Sequence, residues 1–147
     1  MGYETFLTLA VPSTTSSEVI GAIRLALEEY IDLNDHSKGN TYFADSATEC
    51  YVGEVTRQFP KVTFYFAASG DTEEDNRVCF FRNGHQTFKG NIPIPEYILH
   101  PKKKKDCIEE DCDNENPCED CHDYEKINEQ RSSILKSYLS FFDVTFV

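Results

Sequence analysis

Tryptophan is absent from this 147-residue chain, methionine occurs once, as Met1, and lysine and arginine together number 14 against 26 aspartates and glutamates. Each shortage narrows the reading. No uninterrupted apolar stretch approaches the roughly 20 residues a membrane-spanning helix needs, so a soluble protein is expected. The net charge of −12 repels a phosphate backbone, and direct nucleic-acid binding is therefore not expected. The N-terminal stretch Met1–Thr5 shows no basic region followed by an apolar run. No secretory leader is read there, and a cytoplasmic location is expected. Also missing are the Gly-rich phosphate loop, the G-x-S-x-G elbow and the H-E-x-x-H zinc helix, so no familiar catalytic constellation is available. His36, His85, His100 and His122 are scattered, without a visible partner for general acid-base work.

What the chain does have is a concentration of thiols. Cys107, Cys112, Cys118, Cys121 and His122 fall within sixteen residues, in the order C-x4-C-x5-C-x2-C-H. Four thiolates close a tetrahedral shell around a zinc ion, and the two-residue spacing of Cys118 and Cys121 lets both sulfurs turn inward in a tight turn. A structural zinc held by Cys107, Cys112, Cys118 and Cys121, with His122 as an alternative ligand, is the favoured reading. A closed four-sulfur shell leaves no position for water or substrate, so the ion would be structural rather than catalytic. Disulfides are the main alternative and require an oxidising compartment. Cys118-Glu119-Asp120-Cys121-His122 also spells the covalent haem motif, but the loop is acidic and the only methionine is Met1. An EF-hand reading of Asp111, Asp113 and Glu115 fails because the sixth and twelfth positions are Asn116 and His122. Cys50 and Cys79 read as small buried hydrophobes.

Residues 106–125 carry ten carboxylates and no lysine or arginine. Lys102-Lys103-Lys104-Lys105 sits directly upstream and reads as a solvated block that balances them. Asp71, Glu73, Glu74 and Asp75 form a second acidic group in a turn.

Alternation over Thr5–Val11 predicts a strand stopped by Pro12. Thr15-Ser16-Ser17-Glu18 reads as a capping box, ahead of a helix to about Asp32 carrying Val19, Ile23, Leu27 and Tyr30. A second box, Ser46-Ala47-Thr48-Glu49, opens a helix with Tyr51, Val52, Val55 and Phe59, ended by Pro60. The run 62–67 is a strand with Val62, Phe64 and Phe66 on one face. Strands over 77–82 and 85–89 join through Asn83-Gly84, a pair suited to a turn with positive φ at both positions. Together these three strands predict an antiparallel meander. The stretch 124–142 is the longest helix candidate, with Ile127, Ile134, Leu135, Tyr138, Leu139 and Phe142 as its apolar stripe, and 144–147 a closing strand. The expected fold is α+β, a mainly antiparallel sheet with helices packed on one face and a cysteine-rich zinc loop before the C-terminal helix. It forms a single domain, 1–147, with 101–123 as a charged, metal-binding insertion.

The segment Phe59-Pro60-Lys61-Val62-Thr63-Phe64-Tyr65-Phe66, followed by Phe81-Arg82-Asn83-Gly84, resembles ferredoxin-like small phage and plasmid proteins. The resemblance covers about a fifth of the chain, excludes the cysteine loop and carries over no catalytic residue. It implies a mobile-element origin. From its charge and its cysteine loop the chain is expected to be a non-enzymatic acidic interaction protein, located in the host cytoplasm if phage-encoded. It would dock on a basic surface of a larger protein through Asp71, Glu73, Glu74, Asp75, Glu109, Glu110 and Asp111. An inhibitor of a host nucleic-acid-binding defence complex, of the anti-CRISPR kind, fits that description. The alternative is a small metal-dependent hydrolase or nuclease using carboxylates.

Overall fold

The computed structural model describes residues 5–31, 41–44, 48–70, 76–95, 104–113, 117–118, 121 and 124–147. Six strands, β1 (Thr5–Pro12), β2 (Thr41–Ala44), β3 (Phe64–Ser69), β4 (Arg77–Arg82), β5 (His85–Asn91) and β6 (Val144–Phe146), form one sheet in which every pairing is antiparallel. The order runs β2-β1-β3-β4-β5. β6 shares β1 with β2: β2 pairs with Thr5–Thr8, whereas β6 pairs with Ala10–Pro12. Among the described residues three helices accompany the sheet, α1 (Ser17–Leu27), α2 (Thr48–Arg57) and α3 (Tyr124–Leu139).

The strand period of two decides the layering. Leu7, Leu9 and Val11 of β1 share a face with Phe64 and Phe66 of β3 and Cys79 and Phe81 of β4. Ile23 and Leu27 of α1 and Val52 and Val55 of α2 close over that face. The opposite parity, Ala10, Tyr65, Ala67 and Val78, packs with Leu135 and Leu139 of α3 and with Ile92 beyond β5. Each helix spacing predicted from sequence thus has a core to bury.

The α+β class, the antiparallel sheet and the cysteine loop ahead of the last helix are as expected. The helices, however, divide between the two faces: α1 and α2 cover one, and α3 covers the other. The cause lies in β1 and β3, which are apolar at both parities, so that Leu7 through Val11, Thr8 included, are all fully buried. Small residues at Ala10 and Ala67 let α3 approach closely.

Several boundaries shift: β3 runs Phe64–Ser69 and not 62–67, and α3 ends at Leu139, short of Phe142. The cap of α1 is Ser16, whose hydroxyl oxygen accepts the Val19 N–H at 3.2 Å, one residue later than the predicted box. That helix ends at Leu27, and Tyr30 instead stacks on Tyr51 of α2 at 4.8 Å. β2 was not predicted at all. Ser46 and Ala47 of the second capping box, the loop 34–40 and the segment 96–100 lie outside the described residues.

One tertiary contact fixes the hairpin. The Gly84 N–H donates to Thr56 Oγ1 at 2.8 Å, and the Thr56 hydroxyl donates to the Gly53 carbonyl at 2.8 Å. Asn83 and Gly84 have φ of 50° and 80°, the positive values their turn requires. At the other end of β4, the buried Asn76 side chain accepts the Ser69 hydroxyl at 2.7 Å and the Gly70 N–H at 3.3 Å.

Candidate metal centre

The chain between β5 and α3 contains no helix or strand among its described residues. A connection of this length without regular structure needs some other source of order. Three local turns provide the first level: Cys107 N–H to the Lys104 carbonyl, Cys112 N–H to Glu109, and Cys121 N–H to Cys118, at 3.1, 3.3 and 3.0 Å. Each turn delivers one cysteine.

The four sulfurs of Cys107, Cys112, Cys118 and Cys121 all lie within 4.8 Å of one another. Cys107 and Cys118 approach to 3.7 Å and Cys112 and Cys121 to 3.6 Å. A disulfide bond measures about 2.0 Å, so all four thiols are free. For a tetrahedral ion with metal–sulfur bonds of about 2.3 Å, geometry sets the sulfur–sulfur edge at about 3.8 Å. The two short separations match that edge. The cluster can hold one metal ion, and among the described residues no other group of three or more such side chains converges. Cys112 and Cys121 are buried, while Cys107 and Cys118 are half-buried.

Backbone amides complete the cage. The Lys104 N–H donates to the Cys121 sulfur and the Cys118 N–H to the Cys112 sulfur, both at 3.2 Å. The two buried sulfurs, Cys112 and Cys121, thus each receive one amide. Amide donors stabilise thiolate over thiol, which suits a metal ligand and does nothing for a disulfide.

The thiols interact strongly. The Cys121 N–H, the largest influence on Cys118, holds that thiol below its ordinary value. Cys107 is pulled down by the Glu109 N–H, yet the neighbouring sulfurs, Cys121 foremost, together with burial push it up to about 12. Cys112 is likewise raised: desolvation and the sulfurs of Cys118 and Cys121 outweigh the Cys118 N–H, the largest single influence. Four thiolates in so small a volume repel, and either retained protons or a cation at their centre relieves that repulsion.

Of the partner-facing residues read from sequence, Glu109, Glu110 and Asp111 are exposed on the turn linking Cys107 to Cys112. Asp106 and Asp113 flank them, also exposed, as do Lys104 and Lys105 on the upstream side. Asp71, Glu73, Glu74, Asp75 and the alternative ligand His122 lie outside the described residues, as do Lys102 and Lys103. Cys50 is exposed on α2 and Cys79 is in the core, so of the two expected to be buried only Cys79 is. The amide donors, and Lys104 in particular, were not identified from sequence, because a backbone N–H carries no residue signature. No helix among the described residues is long and apolar enough to cross a membrane. Comparison with protein-family models, curated proteins and solved structures finds no match.

Proposed function

We propose that the chain is a non-enzymatic interaction protein whose 104–121 segment is held by a structural zinc ion and presents an acidic surface to a basic partner. The convergence of four sulfurs at tetrahedral spacing, with amide donors at Cys112 and Cys121, carries the metal part of this reading. Zinc is favoured because it accepts four thiolates without geometric preference of its own and is inert to redox change. Free thiols at this spacing fit a reducing compartment.

Stapling gives the acidic turn its purpose. Glu109, Glu110 and Asp111 project from a loop closed at both ends by ligands, Cys107 and Cys112, so their carboxylates are displayed from a fixed frame. Such an array favours fast, salt-sensitive association with a basic surface. Blocking a surface that normally holds a phosphate backbone would be one use of it, as an inhibitor of a nucleic-acid-binding complex. Among the described residues the convergent ligands are all thiols, which does not favour the hydrolytic alternative.

Metal analysis of protein purified without added metal should give one zinc per chain, and cobalt substitution should give the intense visible bands of a tetrahedral thiolate site. Replacing Cys112 or Cys118 by serine should abolish both signals, while Cys50→Ser leaves them intact. Metal-free protein with oxidised cysteines would overturn the reading. For the partner, retention of basic proteins should fall about tenfold or more from low to physiological salt. The variant with Glu109→Gln, Glu110→Gln and Asp111→Asn should lose that retention. Salt-independent binding would refute the electrostatic account.

A further inference from the structure

The four sulfurs of the metal site are not equivalent. Two sulfur–sulfur contacts tie them together, Cys107 to Cys118 at 3.7 Å and Cys112 to Cys121 at 3.6 Å. Burial divides the site along the same line. Cys112 and Cys121 are 3% and 7% exposed, whereas Cys107 and Cys118 are both half-buried. The cluster is thus two dyads, one reached from solvent and one behind it. The contacts also interlock along the chain, because Cys112 lies between Cys107 and Cys118, and Cys118 lies between Cys112 and Cys121. Each end of the acidic turn, Cys107 and Cys112, therefore meets one end of the turn that the Cys121 N–H closes on the Cys118 carbonyl.

Such contacts open a second chemistry to the same thiols. A disulfide bond measures about 2.0 Å, so each dyad has to close by about 1.6–1.7 Å from its present separation. Shared between two side chains, that closure is within reach of rotation about their own bonds, with the three backbone turns kept. Oxidation of one dyad by a hydroperoxide is balanced. Two thiolates give up two electrons and form one sulfur–sulfur bond. The peroxide O–O bond breaks, takes those electrons with two protons, and leaves one alcohol and one water, or two waters from hydrogen peroxide. Each dyad removes two ligands from the metal, and the pair that remains holds its ion far more weakly than a closed four-sulfur shell. The exposed carboxylates of Asp106, Glu109, Glu110, Asp111 and Asp113 outnumber the exposed Lys104 and Lys105 along this stretch, so a neutral oxidant is admitted where an anionic one is repelled.

We propose that the 104–121 segment is a redox-convertible staple: a neutral peroxide joins Cys107 to Cys118 first and Cys112 to Cys121 second, expels the bound metal and leaves the loop closed by two disulfides. The inference rests on metal binding by the four sulfurs, as proposed above. The outer dyad reacts first because it alone is open to solvent. Loss of its two sulfurs loosens the ion and frees the inner pair for the second equivalent. Because the pairings interlock, both ends of the acidic turn stay tied to the same neighbouring turn. Glu109, Glu110 and Asp111 then remain displayed from a fixed frame after the metal has gone.

The test uses the full chain purified under reductant, with Cys50→Ser removing the exposed thiol outside the cluster. Its zinc content is measured first. The reductant is then removed and hydrogen peroxide titrated in, with release read by a chelator that leaves the unoxidised protein loaded. Zinc should leave in step with the peroxide, at about two equivalents per ion. Cleavage after Glu109, Glu110, Glu115 and Glu119 separates the four cysteines. Mass spectrometry of the fragments should find Cys107 joined to Cys118 early in the titration and Cys112 joined to Cys121 at its end, with buried Cys79 still reduced. Amide exchange across 104–121 should stay slow in the oxidised, metal-free protein and become fast in reduced protein stripped by a strong chelator. Reduced protein without zinc overturns the metal reading and this one with it. Zinc present but retained through the titration overturns the conversion alone. So does pairing of Cys107 with Cys112 and Cys118 with Cys121, or sulfinic acid in place of disulfides.

Discussion

At the scale of single residues, the hairpin between β4 and β5 shows how a local signal and a distant one meet. Asn83-Gly84 announces its turn in sequence, yet what seats the turn on α2 is Thr56, 28 positions away, through the Gly84 N–H. A Cβ at Gly84 would collide with Arg57 Cγ and Nε, and φ there is +80°. Gly84→Ala should therefore cost about 1–3 kcal/mol, the usual range for a non-glycine residue held at positive φ. Thr56→Val keeps the shape but strips both hydrogen bonds at a fully buried position, and should cost about 1–3 kcal/mol by leaving the Gly84 N–H without its acceptor. Denaturant melts of both variants check this, and a change below about 0.5 kcal/mol in each would show that the hairpin is held by its strands alone. Sequence could not have revealed Thr56, because a threonine on a helix is indistinguishable from a surface residue until its neighbour is known. Arg131 is a similar case: it sits at helical spacing between Ile127 and Leu135 and is only 7% exposed, although its charge points to the surface.

At the scale of elements, the apolar periodicities were the most legible signals. The stripe of α3 was visible, but which sheet face it would cover was not, since both parities of β3 are apolar and either could have formed the only core. β2 went unread because four residues between polar loops give too short a window for any period to register. The cysteine loop was legible for the opposite reason: its order depends on ligand spacing, which is written in sequence, and not on burial. That loop joins α3 three residues after Cys121, so removing the metal should loosen 104–121 without melting the sheet. Hydrogen exchange after chelation should show protection lost across 104–121 and retained in β1 and β3. Loss in both regions would mean that the metal supports the whole fold. Acidity should act on the same element. With Cys107 raised to about 12 and Cys112 also raised, the metal-free site near neutrality holds mostly protonated thiols, and Cys118, lowered by the Cys121 N–H, ionises before them. Metal binds only thiolates, so loading must expel protons, and affinity must rise with pH and fall as acid is added. Binding calorimetry in two buffers of different ionisation enthalpy should report release of about two protons or more per ion near neutrality, from Cys107 and Cys112 at least. Fewer than about one would exclude thiol ligation.

At the scale of the molecule, charge is the property that sequence states most completely and structure distributes. Ten of the 26 carboxylates fall in 106–125, which has no lysine or arginine, whereas the hairpin segment 76–95 has three lysines and arginines and no carboxylate. Between them, two hydrophobic layers hang on the same central strands, β1 and β3, so neither layer can be lost without exposing the other's support. Unfolding should accordingly be one cooperative transition for the sheet and its helices. The self-repulsion of a chain at −12 opposes that compact state. Added salt screens it over a Debye length of about 8–10 Å, comparable with the spacing of neighbouring surface charges. The melting temperature of the metal-loaded protein should therefore rise by about 2–4 °C between low and physiological ionic strength, corresponding to about 1 kcal/mol. Scanning calorimetry at fixed protein and zinc concentration measures it, and no rise would mean that the carboxylates are already compensated within the fold.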